Sequence, residues 1–191
     1  MLAAVLVLGA CGTTGSSSAP SSSTTTIGSG TTTTADVSSP PTVGPALRLT
    51  TEGIGPLRLG MTLEEAQATG FVGSFEPGCE VESPPPMTAQ LSEVEGTVDV
   101  AGGKVRSITV RRANEVATDP GLVAPGDPVD QAVAAWEAAG LDVAVDKDQE
   151  DTYGVWFVQV RNGSEPAFEA TANPALETLD TISVPEVILC E

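Results

Sequence analysis

Three cysteines and no histidine set the chemistry open to this chain of 191 residues. Without imidazole there is no Ser-His-Asp or Cys-His catalysis, and the usual zinc ligand sets are incomplete. Neither a G-x-S-x-G elbow nor a phosphate-binding glycine loop occurs. Glu64 with Glu65, and Glu93 with Glu95, are the residue types of an acid/base pair, but read as exposed carboxylates. Asp146, Asp148 and Glu150 alternate like the start of a calcium loop. Asp151 stands where that loop needs Gly, and Phe157 where it needs a bidentate Glu, so a solvated turn is the expectation. Asn162-Gly163-Ser164 fits the N-glycosylation acceptor, and fits a type I′ hairpin turn more economically. Trp136 and Trp156 are expected in the core, with Trp156 the candidate contact for a partner if exposed. The reading is therefore no catalytic residue, no metal and no cofactor.

Charge narrows the partners. The formal net charge is −18, from 26 acidic and 8 basic residues. Every Lys and Arg lies beyond residue 46, while Asp36 is the one charge before it. Such a surface repels phosphate backbones, which excludes nucleic acid, and disfavours broad docking on anionic lipid. It suits a basic protein partner or cations.

The N-terminus carries an address. Leu2 to Leu8 is a short apolar run, ending in Leu8-Gly9-Ala10-Cys11. This resembles the lipobox of bacterial lipoproteins, in which small residues fit the signal peptidase and the cysteine thiol accepts diacylglycerol. The resemblance implies a signal peptide over 1–10, lipidation (palmitate included) of Cys11, and a chain anchored on the extracytoplasmic face of the cell membrane. The run is too short for a spanning helix of about 20 residues. No Lys or Arg precedes it, a departure from the pattern that an upstream start would account for. Residues 11–45 then form a Ser/Thr-rich tether that cannot bury enough apolar surface to offset ordering entropy. A flexible chain of that length reaches roughly 30–35 Å on average.

Residues 46–191 read as one folded domain with an internal repeat. Gly55-Pro-Leu-Arg-Leu-Gly60-Met-Thr-Leu-Glu-Glu-Ala66 superposes without a gap on Gly121-Leu-Val-Ala-Pro-Gly126-Asp-Pro-Val-Asp-Gln-Ala132. Each copy runs into a helix. Thr62 with Glu65 forms a capping box. Asp127 is the expected cap of the second helix, one position out of register with Thr62. Val129, Ala132, Val133 and Trp136 share one helical face. A second echo pairs Val105-Arg-Ser-Ile-Thr-Val110 with Leu179-Asp-Thr-Ile-Ser-Val184. The units are expected over about 48–112 and 117–191. The expected fold is α+β: two related helix-plus-antiparallel-strand units in tandem, in two layers, with helices packed on one face of an antiparallel sheet.

The G-x-x-x-x-G-M-T-x-x-E-A stretch, its strands and the second copy resemble the fold of SmpA/OmlA-type envelope lipoproteins and of the β-lactamase-inhibitory-protein family. The lipobox, the tether, the repeated pattern and the missing catalytic residues together lead to the expectation of a membrane-tethered module binding an envelope protein or cell-wall component. Inhibition of a secreted enzyme is the second reading, and hydrolysis a distant third.

With Cys11 lipidated, Cys79 and Cys190 are left in an exported chain, where a disulfide persists; paired reactive thiols are the alternative. A bridge between positions 79 and 190 would restrict the unfolded chain by about 4–5 kcal/mol on the entropy model. Reducing agent should therefore lower the denaturation midpoint of wild type and leave a Cys79→Ser/Cys190→Ser variant unmoved. Equal behaviour of the two proteins refutes the pairing.

Overall fold

The computed structural model describes residues 47–78, 85–111 and 116–188. Cys11, the tether, Cys79 and Cys190 lie outside the described residues.

Short strands β1 (Arg48–Thr50), β2 (Gly53–Ile54) and β3 (Leu57–Arg58) lead to helix α1 (Leu63–Ala68). Then come β4 (Glu76–Pro77), β5 (Met87–Gln90), β6 (Gly96–Ala101), β7 (Lys104–Arg111) and β8 (Ala117–Asp119). Helix α2 (Val129–Ala138), strand β9 (Asp142–Asp146) and the single turn α3 (Glu150–Tyr153) follow. Strands β10 (Trp156–Asn162), β11 (Glu165–Asn173) and β12 (Thr178–Val184) finish the described chain. A four-stranded sheet has the order β3-β2-β1-β8, and an eight-stranded sheet the order β4-β5-β6-β7-β12-β11-β10-β9.

The α+β expectation, with helices layered over one face of a sheet, is overturned. The described chain is mostly strand in two sheets, and its helices span six, ten and four residues. The physical reason is segment length. β2, β3, β4 and β8 hold two or three residues each, too few to show a period of two. They become strands only by pairing with one another or with a longer strand: β2 with β1 and β3, β4 with β5, and β8 in parallel with β1 from the other half of the chain.

The large sheet is two four-stranded meanders joined antiparallel at β7 and β12, where Thr109 faces Ser183 and Val110 faces Ile182. Its two faces differ. Val98, Ile108, Val110, Val158, Ala170 and Ile182 pack in the core. Thr97, Asp99, Ser107, Thr109, Thr171 and Ser183 alternate with them and are buried as well. Burial of the polar set requires hydrogen bonds. Thr88 Oγ1 donates to Asp99 Oδ1 at 2.6 Å, Thr109 and Ser183 share a hydroxyl hydrogen bond of 2.7 Å, and so do Thr171 and Thr181. The tail after β12 crosses this face: Ser107 Oγ donates to Glu186 O at 2.7 Å, and Val187 N donates to Glu169 Oε2 at 2.8 Å. The mixed pattern of β7 is thereby explained, because both faces of the strand are covered.

The repeated stretch recurs in three dimensions. Gly60 N donates to Val105 O (2.8 Å), and Val105 N to Met61 O (2.7 Å). In the other half Gly126 N donates to Leu179 O (2.7 Å), and Leu179 N to Asp127 O (2.9 Å). Gly60 and Gly126 have φ of +81° and +100°, which an L side chain rarely adopts. Asp127 does not cap α2. Pro128 holds the cap position with φ −58° and ψ 137°, and the Asp127 carboxylate instead accepts from Ala124 N at 2.8 Å. The two caps, Thr62 and Pro128, are thus in register with the glycines. The hairpin prediction also shifts. Asn162 pairs with Glu165, leaving Gly163-Ser164 as the loop, with positive φ at Gly163 alone. That is the demand of type II′; two positive values occur instead at Gly102-Gly103, between β6 and β7.

Trp136 is the largest fully buried side chain. Its ring stacks on Phe168 with centroids 6.4 Å apart, and Nε1 donates to Thr118 Oγ1 at 3.1 Å. The same Oγ1 accepts from Val123 N at 3.1 Å. Thr118→Val keeps the shape and orphans both donors, at about 1–3 kcal/mol each. Urea denaturation should show that loss at unchanged slope; an unaltered midpoint contradicts it.

Candidate functional site

A groove with apolar walls lies where α2 begins, β9 ends and β12 starts. It has a volume of about 560 Å³. Val129 and Val133 of α2, Val145 of β9, Trp156 of β10 and Leu176 form its apolar walls, with Asp130, Lys147, Glu177 and Thr178 between them. The helical spacing of 129 and 133 puts both valines on one side. The pairing of Val158 with Val145 sets Val145 on the same sheet face as Trp156, two residues earlier in β10.

Trp156 is only 7% exposed, so it forms a wall of the groove and not a protruding anchor. Its environment is built. Lys147 Nζ lies 3.6 Å from the ring centroid, and Trp156 Nε1 donates to Glu150 Oε2 at 2.7 Å. The single turn α3 carries Glu150 at its start, and Gly154 at φ 70° ends it. So the expected charged turn over Asp146–Asp151 is partly helical. Asp146 Oδ1 accepts from Asp148 N at 2.9 Å, which closes the local turn.

Leu176 is the residue the sequence reading missed. It is 54% exposed, held on a structured loop. Asn173 Oδ1 accepts from the backbone N of Ala175 and Leu176 at 2.9 and 3.1 Å. Glu177 sits at φ 52°, a left-handed conformation that costs a non-glycine residue about 1 kcal/mol. Its carbonyl accepts from Val129 N at 2.9 Å and ties the loop to α2. The available signal was Asn173-Pro174, a turn initiator, with an apolar residue just beyond it. Thr178 Oγ1, at the base of this loop, is buried with no hydrogen-bond partner.

A second cleft, of about 370 Å³, lies on the polar sheet face among Thr97, Asp99, Thr109, Arg111, Tyr153 and Thr181. The hydroxyls of Thr109 and Thr181 are already hydrogen-bonded, to Ser183 and Thr171, and the tail residues Val187 and Ile188 help to line the cleft.

The remaining predicted positions are not brought to either cleft. Thr62 and Glu65 form a reciprocal cap, with Glu65 N donating to Thr62 Oγ1 at 3.2 Å and Thr62 N to Glu65 Oε2 at 2.8 Å. The Glu93 and Glu95 carboxylates are exposed at the β5–β6 connection. Among the described residues no cluster of three or more acidic or cysteine side chains is arranged for a metal ion, and no helix is long and apolar enough to cross a membrane. No family model, curated protein or solved structure matches the chain.

Glu169 fastens the tail over the polar face, and burial pushes its carboxyl above the ordinary 4.5, partly offset by the hydrogen bond from Val187 and reinforced by the nearby charge of Glu186. The raised value means that protonation favours the folded state. That contribution is complete below about 4.5 and is lost as pH rises through the elevated value. Glu169→Gln keeps an acceptor for Val187 and carries no charge. Its denaturation midpoint should exceed wild type at neutral pH and converge on it in acid. A variant that is weaker at neutral pH contradicts this assignment.

Proposed function

We propose that this protein is a lipid-anchored module of the extracytoplasmic membrane face that binds an envelope protein or cell-wall component through the groove beside Trp156. The observation that carries the binding surface is the groove itself: apolar walls that include a buried tryptophan, and an exposed leucine held at its rim by a hydrogen-bonded loop with a left-handed residue. Exposed apolar groups held in place against local backbone cost are a mark of recognition surfaces. The Leu8-Gly9-Ala10-Cys11 sequence and the Ser/Thr-rich tether support the anchor. A tether of this kind frees the domain to search a shell above the bilayer, which raises its effective concentration toward envelope partners.

Two measurements test the two halves of this reading. Palmitate labelling should be lost in Cys11→Ala; equal labelling refutes the anchor. A photo-crosslinking residue in place of Leu176 or Val133 should trap one shared adduct in intact cells. The same residue at Ser164, in the hairpin loop at the far end of β10, should trap none. Indistinguishable patterns at the three positions refute the groove as the binding surface.

A further inference from the structure

The two sheets present four edges, and three are blunted. β4 has two residues and includes Pro77; β3 has two; β8 has three and is followed by Pro120. Shortness and proline are standard protections against edge pairing. β9 is different. It is five residues long, has no Pro or Lys, pairs with β10 without a register shift, and among the described residues has no strand on its other side. Val143 and Val145 lie on the groove side, Ala144 is exposed, and Asp142 and Asp146 close the two ends.

Those end charges select the occupant. If two copies paired antiparallel about Ala144, Asp142 of one would face Asp146 of the other at both ends, and like charges directly opposite destabilise a strand pair. A strand with cations at those two places reverses the sign of both contacts. Its residues opposite Val143 and Val145 would point to the same face as those valines, beside Val133 and the groove. Asp130 and Glu177 at the groove rim add to the same preference.

We propose that β9 accepts an extended basic segment of another protein as a ninth strand, with the pattern basic–apolar–any–apolar–basic, one apolar side chain entering the groove beside Trp156. The proposal rests on the binding-module reading and assigns its partner class. Backbone pairing supplies affinity, and the groove and the two aspartates supply selection.

The probe is acetyl-Gly-Lys-Val-Thr-Val-Lys-Gly-amide, titrated onto the purified full chain in detergent. Saturable binding is expected, and a peptide with Glu in place of Lys should bind at least tenfold more weakly. Two N-methylated forms of the lysine peptide, one methylated at both Val, the other at Lys and Thr, carry the same charge but block opposite backbone edges. One form should lose at least tenfold in affinity while the other is spared. Equal retention of both shows attraction by net charge alone and overturns the proposal, as does equal loss. Asp142→Lys/Asp146→Lys should exchange the preference between the lysine and glutamate peptides. The milder Asp142→Asn/Asp146→Asn should weaken lysine-peptide binding without inverting it, and unchanged binding in both variants overturns the proposal. Sedimentation showing a dimer of the chain that the β9 variants alter would give the edge to a second copy, and also overturns it. Failure of the peptides with the Leu176 crosslink intact removes this inference alone; loss of the crosslink removes the module reading.

Discussion

The antiparallel seam between β7 and β12 is the constraint on which the rest of the structure depends. It joins the two meanders of the large sheet, while the parallel pairing of β1 with β8 links the same two halves through the small sheet. Ile108, Val110, Ile182 and Val184 are fully or almost fully buried along it on one face. On the other face Thr109 and Ser183 meet hydroxyl to hydroxyl. A seam with apolar residues on both faces would have paired less selectively; the polar pair fixes register, because a slip of one residue would turn these hydroxyls into the core. The start of each seam strand is in turn clamped by the glycine before a helix, through Gly60 to Val105 and Gly126 to Leu179. Helix, turn and central strand are therefore positioned together in each half.

The equivalence of the halves ends at the sheet margins, and the candidate site lies where it ends. In the first half the outer strand is β4, two residues with a proline. In the second half the corresponding outer strand is β9, five regular residues beside the longer helix α2. The longer β10–β11 hairpin, α3 and the Leu176 loop also belong to the second half. Shared geometry builds the scaffold, and departures from it build the groove. The polar face is closed in a different manner, by the tail that Ser107 and Glu169 hold across it.

The groove also shows how a buried tryptophan contributes without being an anchor. Trp156 is packed, stacked under Lys147 and hydrogen-bonded through Glu150, so its ring is a fixed wall. Fixed walls lower the ordering cost of binding. Among the described residues Lys147 is the one cation lining the groove, and it is engaged with the ring.

What the sequence determined by itself was local. The capping box at Thr62 and Glu65, the apolar face of α2 and the glycine-led turns follow from chemistry within a dozen residues, and the two echoes from comparing one half of the chain with the other. Net charge set the expectation of no nucleic-acid partner, and the missing histidine that of no Ser-His-Asp or Cys-His catalysis. Tertiary structure decided the rest. Strands of two or three residues exist only because a partner supplies their hydrogen bonds, so the predominance of strand in the fold was not legible. The cap moved from Asp127 to Pro128 because Asp127 is used by Ala124 and Leu179. Leu176, Val145 and Trp156 are far apart in sequence and become one groove only when β9, β10 and the loop before β12 come together. Whether an edge strand is open or covered is a property of the whole sheet, and no window of sequence contains it.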